Sequence, residues 1–275
     1  MNEALKQISL LRMFLISLFS IFFLMLIGIG LEKVFGIDNG MIAKALGILG
    51  LYFAPLTMIY RTLHKNNQSI KMWLKPVRIR ILETLAGVIF PEMLGVGILL
   101  LASTIFISFG SLPAEETLKS TTMGTDYWVQ YFVLSCLLAP FCEEIIFRGF
   151  LFEKLLGTNS MKKSILITSL VFGIMHGLSG VSPAIVSIVL CVLYKKYNSL
   201  IPCMAVHFLH NLMVFLVRYS VLNTSSMEST SSTTTSFSPA ELLPVVILVS
   251  MGLIWLVRFI KTNWKYTYPK TEIEA

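Results

Sequence analysis

Charged side chains are scarce in this chain of 275 residues. Asp, Glu, Lys and Arg make up only 13% of it and hydrophobic residues make up 55%, whereas soluble domains contain about 25% charged and about 45 to 50% apolar residues. A soluble fold of this size needs more charge on its surface, which excludes a cytosolic globular enzyme. Apolar runs of about 20 residues recur along the whole chain, and they predict a polytopic membrane protein.

Acidic residues are scarcer than basic ones, with 15 Asp and Glu against 22 Lys and Arg. The basic residues lie in short segments between apolar runs, which is typical of the positive-inside rule and not of nucleic-acid binding. If the chain crosses the membrane eight times, 17 of the 22 Lys and Arg fall on one side. Both termini are therefore predicted to be cytosolic. The predicted spans are residues 11–31, 40–60, 82–109, 127–152, 164–178, 180–194, 199–221 and 241–260.

Cysteine is also rare, and no CxxC spacing suggests a zinc or redox site. We interpret the four cysteines as buried small hydrophobic residues. Lys6 and Arg12 precede an apolar run that is too long for a signal-peptide core and lacks a small-x-small cleavage site, so it is interpreted as a retained first span. The cysteines are Cys136, Cys142, Cys191 and Cys203.

The predicted fold is an all-α, polytopic helical integral membrane protein with about eight transmembrane helices. Residues 1–81 form two spans and a basic cytosolic segment, residues 82–220 form a core, and residues 221–275 form an outer loop, a last span and a tail. The Ser/Thr-rich stretch 223–238 and the mildly acidic stretch 111–126 are interpreted as external loops. The basic stretch 61–80 is either an interfacial helix, with Trp73 and Leu74 on the membrane, or only an orientation signal.

Polar residues within the predicted spans cluster in three short sequences: CEEIIFRG at 142–149, FGIMHG at 172–177 and HFLHN at 207–211. An ionisable group in hydrocarbon costs several kcal/mol unless it is paired or faces a cavity, so each one is a functional hypothesis. A helical rise of about 1.5 Å per residue places the carboxylate, imidazole and amide groups roughly 16 to 22 Å from the cytosolic interface. The three spans therefore bring these groups to a similar depth.

Helical spacing separates the roles of the two adjacent glutamates. Glu144 and Arg148 are an i, i+4 pair and are expected to form an ion pair that positions the span. Glu143 points about 100° away, lacks that partner, and is the expected working carboxylate. His207 and Asn211 also have i, i+4 spacing and are expected to face one cavity, whereas His210 is expected to point elsewhere.

This set of side chains fits hydrolysis by an activated water. Glu143 is expected to be the general base, with His176 holding and polarising the water. His207 and Asn211 can donate hydrogen bonds to the oxyanion of a tetrahedral intermediate. The other intramembrane protease chemistries lack their residues, because the sequence has no HExxH, no GxSxG and no GxGD-type aspartate pair within the spans.

The three motifs Glu143-Glu144-xxx-Arg148, Phe172-xxx-His176 and His207-xxx-Asn211 resemble the EExxxR, FxxxH and HxxxN motifs of the CPBP family. That family, also called Abi, includes the CAAX prenyl proteases of the Rce1 type and bacteriocin-processing enzymes. The resemblance covers about residues 82–220. It implies an eight-helix glutamate-type intramembrane endopeptidase that acts on a membrane-associated peptide or protein, and the compact chain suggests a bacterial cell membrane.

Three alternatives stay open. The same polar set suits a proton or cation pathway in a transporter, although no inverted repeat of broken spans is evident. The second alternative is a non-catalytic immunity or scaffold protein that keeps the motifs for packing. In the third, Glu143, His176 and His207 bind a catalytic zinc, although no cofactor is expected because no span carries paired i, i+4 histidines.

The charge distribution predicts that residues 223–238 face outside and residues 61–80 face the cytosol. Single cysteines placed in each stretch, in a background without the four native cysteines, should react with an impermeant thiol reagent from opposite sides. Labelling of both stretches from the same side would contradict the eight-span arrangement.

Overall fold

The computed structural model describes residues 3–37, 40–108, 124–224 and 239–267, and every element within them is helical. This confirms the predicted all-α class. The α-helices are α1 (Glu3–Lys6), α2 (Leu10–Phe35), α3 (Met41–Lys65), α4 (Ile81–Ser108), α5 (Thr125–Tyr131), α6 (Ala139–Glu144), α7 (Glu153–Leu156), α8 (Met161–Met175), α9 (Val181–Tyr197), α10 (Ile201–Thr224) and α11 (Pro239–Asn263). Two π-helical segments, Phe132–Leu138 and Ile145–Phe152, join α5, α6 and α7 into one continuous helix.

Within the described residues, six helical stretches are long and apolar enough to cross a membrane. The fifth and sixth predicted spans also form helices, α8 of 15 residues and α9 of 17 residues. Both are shorter than the roughly 20 residues that a bilayer core requires. A polytopic helical membrane protein is therefore confirmed, and the count of eight crossings stays a prediction. The six stretches are Leu10–Phe35, Met41–Lys65, Ile81–Thr104, Thr125–Leu156, Ile201–Leu222 and Leu242–Tyr266.

Helix α9 lies at the centre of the bundle. A helix that is apolar and enclosed on all sides belongs in a core, and Val189, Leu190, Cys191 and Val192 are four consecutive residues with no exposed surface. Helices α4, α8, α10 and α11 pack around α9, while α2 packs mainly against α3 at the side of the bundle. The four cysteines are buried free thiols, as predicted from their apolar surroundings.

The basic stretch 61–80 is not an interfacial helix, so that interpretation is wrong. Only Ile70–Trp73 is helical beyond the end of α3, as a single 3₁₀ turn. Trp73 is buried against Gly149, where a Cβ would lie 2.8 Å from the indole ring, and its carbonyl accepts a hydrogen bond from the Leu200 amide. The indole therefore packs into the protein and not into lipid. The two predicted external loops fall largely on residues 109–123 and 225–238, outside the described residues.

Helices α2 and α3 approach closely because glycines lie at their contact. A Cβ at Gly28 would lie 2.5 Å from the Cα of Ala43, and one at Gly50 would lie 2.6 Å from the carbonyl oxygen of Ser20. Small residues allow such close approach where lipid supplies no hydrophobic driving force between helices. Only glycine is compatible with these contacts unless the two backbones separate.

The substitution Gly28→Ala should lower the stability of the protein by about 1 to 3 kcal/mol, because the added methyl group overpacks the α2–α3 contact. Gly30→Ala is the matched control, since a Cβ there meets nothing within 4 Å on the same helix. Thermal unfolding in detergent, followed by circular dichroism, measures both changes. Equal melting temperatures for the two variants would contradict the close contact.

Candidate active site

A cavity of about 350 Å³ lies between α3, α4, the helix Thr125–Leu156, the turn after α8, α9 and α10. Its lining is mostly apolar but includes several ionisable side chains, and we call it the polar cavity for that reason. Four of the six predicted site residues line it, as the predicted convergence of the three spans requires: Glu143, His176, His207 and Asn211. The other two, Glu144 and Arg148, lie behind its wall with no exposed surface.

The helix that carries both glutamates has an unusual shape. In a π-helical segment the carbonyl of residue i pairs with the amide of residue i+5, so the partner of Ser135 would be Pro140, which has no N–H. The side-chain amide of Asn211 supplies the missing donor, with its Nδ2 donating to the Ser135 carbonyl at 2.7 Å. Asn211 of the third motif therefore stabilises the helix of the first motif, and its Nδ2 carries a second hydrogen.

Glu144 and Arg148 form the predicted ion pair. Nη1 of Arg148 donates to Oε1 of Glu144 at 2.8 Å, and both side chains are fully buried. The guanidinium also lies over the ring of Phe172, 4.6 Å from its centroid. The Nδ1–H of His207 donates to the same Oε1 at 2.8 Å. One carboxylate thus holds an arginine and an imidazole in fixed positions.

Glu143 has a different environment, because Arg148 pairs with Glu144 and not with Glu143. The hydroxyl of Tyr52 donates to its Oε1 at 2.6 Å. Its Oε2 has no hydrogen-bond partner among the described residues and lies 3.8 Å from Nε2 of His207. Its side chain is 12% exposed, against 0% for Glu144. One oxygen is therefore fixed by Tyr52, while the other is enclosed without a hydrogen-bond partner among the described residues.

His176 lies directly after α8, where the chain turns. Gly177 has a φ of +64°, in the left-handed region that favours glycine and ends a helix. The Nδ1–H of His176 donates to the Phe172 carbonyl at 2.7 Å, which leaves Nε2 as the acceptor of the neutral ring. The imidazole is exposed to the space between the helices, and its orientation is set by its own helix end.

His210 does not point away from the cavity, so the predicted direction of its side chain is wrong. It lines the same cavity as His207 and Asn211, because residues three apart on a helix share a face as closely as residues four apart do. Its Nδ1 lies 3.4 Å from Oε2 of Glu92, a carboxylate on α4 that lies outside the three motifs. Tyr52 and Glu92 are thus two cavity residues that the motif analysis missed.

A second space, which is lined by apolar residues and which we call the apolar groove, adjoins the cavity. It has a volume of about 600 Å³ and lies between α2, α3, the helix Thr125–Leu156 and α8. Tyr52, Glu143 and His176 line both spaces. The apolar groove and the polar cavity therefore meet at the carboxylate of Glu143.

The described residues contain no group of three or more His, Cys, Asp or Glu side chains arranged to hold a metal ion. His207 directs its Nδ1 to Glu144, and Nδ1 of His176 is bound to a carbonyl. Both engaged atoms are Nδ1, and imidazoles that bind a metal through Nε2 are oriented in the same way. The absence of zinc therefore stays a prediction.

Removing one member of the buried ion pair should destabilise the protein. Glu144→Ala leaves the Arg148 charge unpaired, which typically costs about 3 to 5 kcal/mol, and unfolding in detergent measures this loss. The double variant Glu144→Ala with Arg148→Ala should recover part of the stability but little activity, because His207 still lacks its carboxylate partner. A fully stable Glu144→Ala protein would contradict the positioning role.

Comparison with known families agrees with the motifs. The family described as Rce1-like, type II CAAX prenyl endopeptidase Rce1-like, matches residues 125–213. No curated protein and no solved structure matches the chain. The matched residues include every motif position from Glu143 to Asn211, and they lie within the region of about 82–220 where the sequence predicts the resemblance. The predicted resemblance is therefore confirmed over residues 125–213, which are similar to the Rce1-like type II CAAX prenyl endopeptidases, a family of proteases.

Proposed function

We propose that this protein is an intramembrane endopeptidase that hydrolyses a peptide bond of a membrane-associated protein or peptide with a water activated by Glu143. The observation that carries the proposal is the contrast between the two adjacent glutamates. Glu144 is buried and neutralised by Arg148, whereas Glu143 lines the cavity and its Oε2 has no hydrogen-bond partner among the described residues. A carboxylate in such a place is suited to act as a general base.

Glu143 acts as a base through one of its two carboxylate oxygens. Tyr52 donates to Oε1 of Glu143, so the carboxylate group is held at a fixed angle and Oε2 is left to take a proton from water. Nε2 of His176 is an acceptor in the neutral ring and provides a second hydrogen bond that orients the same water. Both side chains line the cavity. The water then attacks the carbonyl carbon of the scissile bond.

The oxyanion that forms needs hydrogen-bond donors. Since Nδ1 of His207 donates to Glu144, its Nε2 donates to the oxyanion in the imidazolium form of the ring. Asn211 contributes the second hydrogen of its Nδ2, whose first hydrogen is bound to Ser135. These two donors come from the third motif and stabilise negative charge that develops in the transition state.

The apolar groove supports a substrate with a hydrophobic part. Its volume of about 600 Å³ and its contact with Glu143 suit an apolar segment whose end reaches the polar cavity. A hydrophobic peptide segment and a prenyl chain, such as the name of the matched family implies, both meet this requirement.

Comparative peptidomics of membranes that contain the wild-type protein or Glu143→Gln tests the proposal directly. We expect a peptide fragment that only the wild-type membranes release. The absence of any such fragment, with ion flux through the purified protein in liposomes, would favour a transporter. A biological effect that persists in Glu143→Gln would favour an immunity or scaffold protein.

Glu143→Gln should reduce the rate of cleavage by at least about 100-fold, because the amide keeps the shape of the carboxylate but not its basicity. Expression and melting behaviour should change little. The matched control is Glu153→Gln, the same substitution further along the same helix, at a residue that pairs with Lys195 at 3.4 Å. An unfolded Glu143→Gln protein would contradict the assignment of the two glutamates.

Cleavage should also persist in strong chelators, and the purified protein should contain no stoichiometric zinc by elemental analysis. Loss of activity in a chelator, with recovery on addition of zinc alone, would replace the carboxylate-activated water by a metal-bound one.

A further inference from the structure

A second carboxylate and imidazole face the cavity outside the three motifs. Glu92 on α4 and His210 on α10 both line it, with side chains 19% and 7% exposed. Nδ1 of His210 lies 3.4 Å from Oε2 of Glu92. The hydroxyl of Ser182, in the first turn of α9, donates to the same Oε2. Three helices thus contribute one side chain each to this cluster.

The backbone is shaped to bring the cluster together. A Cβ at Gly95 would lie 2.5 Å from the Cβ of Ser182, so only glycine allows α4 to approach α9 this closely. Gly95 lies one turn after Glu92, and the contact therefore places the Ser182 hydroxyl beside the Glu92 carboxylate. The position of Glu92 is fixed by packing as well as by hydrogen bonding.

The arrangement repeats that of Glu144 and His207. A carboxylate oxygen only accepts, so the Nδ1 of His210 that faces Glu92 carries the hydrogen. This Nδ1 is enclosed and has no hydrogen-bond partner at the present distance among the described residues. The opposite edge of the ring, with Nε2, is the edge that reaches the cavity. Ionisable groups are costly within membrane helices and usually serve a function there.

We propose that His210, positioned by Glu92, donates the proton that the leaving nitrogen needs when the peptide bond breaks. The inference rests on the proposed endopeptidase function. In the first step the water oxygen bonds to the carbonyl carbon and its proton passes to Glu143. Glu143 passes this proton through water to Nε2 of His210, which is the acceptor of the neutral ring. In the second step the C–N bond breaks, its electron pair stays on nitrogen, and the proton on Nε2 passes to that nitrogen, which restores Glu143 and His210.

The spacing of His207 and His210 along α10 suits separate roles for the two imidazoles. His207 faces Glu143, and His210 follows about one helical turn later on the same face. The attacking water and the leaving nitrogen lie on different sides of the carbonyl carbon, so an acid displaced from the base is well placed for the nitrogen. Glu92 acts through His210 and is a positioning residue.

Two peptide probes distinguish proton donation by His210 from a role of His210 in substrate binding or folding. An internally quenched peptide spanning the bond cleaved in wild-type membranes is made with an amide and, in a second version, with an ester at that bond. An alkoxide leaves without prior protonation far more easily than an amine anion. We therefore expect His210→Asn to slow amide cleavage by at least about 100-fold and ester cleavage by less than about 5-fold.

Two further variants complete the test. Glu92→Gln should also slow cleavage of the amide more than cleavage of the ester. The rate of amide cleavage should fall by only about 10-fold, because the imidazole remains but its carboxylate partner is gone. His64→Asn removes an exposed histidine at the end of α3, outside the cavity, and should change neither rate. Melting temperatures in detergent show whether each variant folds. If His210→Asn fails to fold, the ratio of the amide and ester cleavage rates in Glu92→Gln decides whether the cluster supplies the proton.

The outcomes are distinct. Equal losses on the amide and the ester would overturn the inference and assign the cluster to binding or packing. Unchanged rates on both probes would also overturn it, since Glu143 would then return the proton to nitrogen by itself. A wild-type protein that cleaves no peptide in membranes would overturn the proposed function, a failure that peptidomics reveals before any variant of His210 is made.

Discussion

The site depends on neutralising one buried charge. Arg148 has no exposed surface in a chain that spans the membrane, and an unpaired guanidinium there would be strongly destabilising. Glu144 neutralises it, Phe172 covers it with the face of its ring, and His207 donates to the same carboxylate. These residues come from all three motifs. The motifs are thus parts of one contact cluster, and the side chains around Glu143 are placed by it.

The sequence could predict the contacts that follow from helical spacing. The ion pair and the shared face of His207 and Asn211 both follow from i, i+4 geometry, and the structure contains both. The same rule extends to i, i+3 and should have included His210. Glu92 carried a signal too, because it is an ionisable residue in the middle of an apolar span. Tyr52 carried none, since its hydroxyl gains importance only through the packing of α3 against Glu143.

The fold shows the same division between local and tertiary information. Apolar length predicts where the helices lie, and all eight expected segments are helical. Local sequence cannot say that Trp73 fills the space beside Gly149, because that contact joins residues from distant parts of the chain. The basic stretch therefore resembled a membrane-surface helix although its Trp73 packs into the protein. The π-helical segment Phe132–Leu138 could not be predicted either, because it depends on a tertiary hydrogen bond as well as on Pro140.

That hydrogen bond shows why the third motif matters to the first. Pro140 removes the amide that the Ser135 carbonyl would otherwise bind, and an unpaired carbonyl within a membrane is costly. Asn211 supplies the donor from α10, only four residues after His207 binds Glu144. Helix α10 therefore holds the glutamate helix at two points, one before the two glutamates and one at Glu144. Glu143 lies between these two points, so α10 fixes the direction in which its side chain enters the cavity.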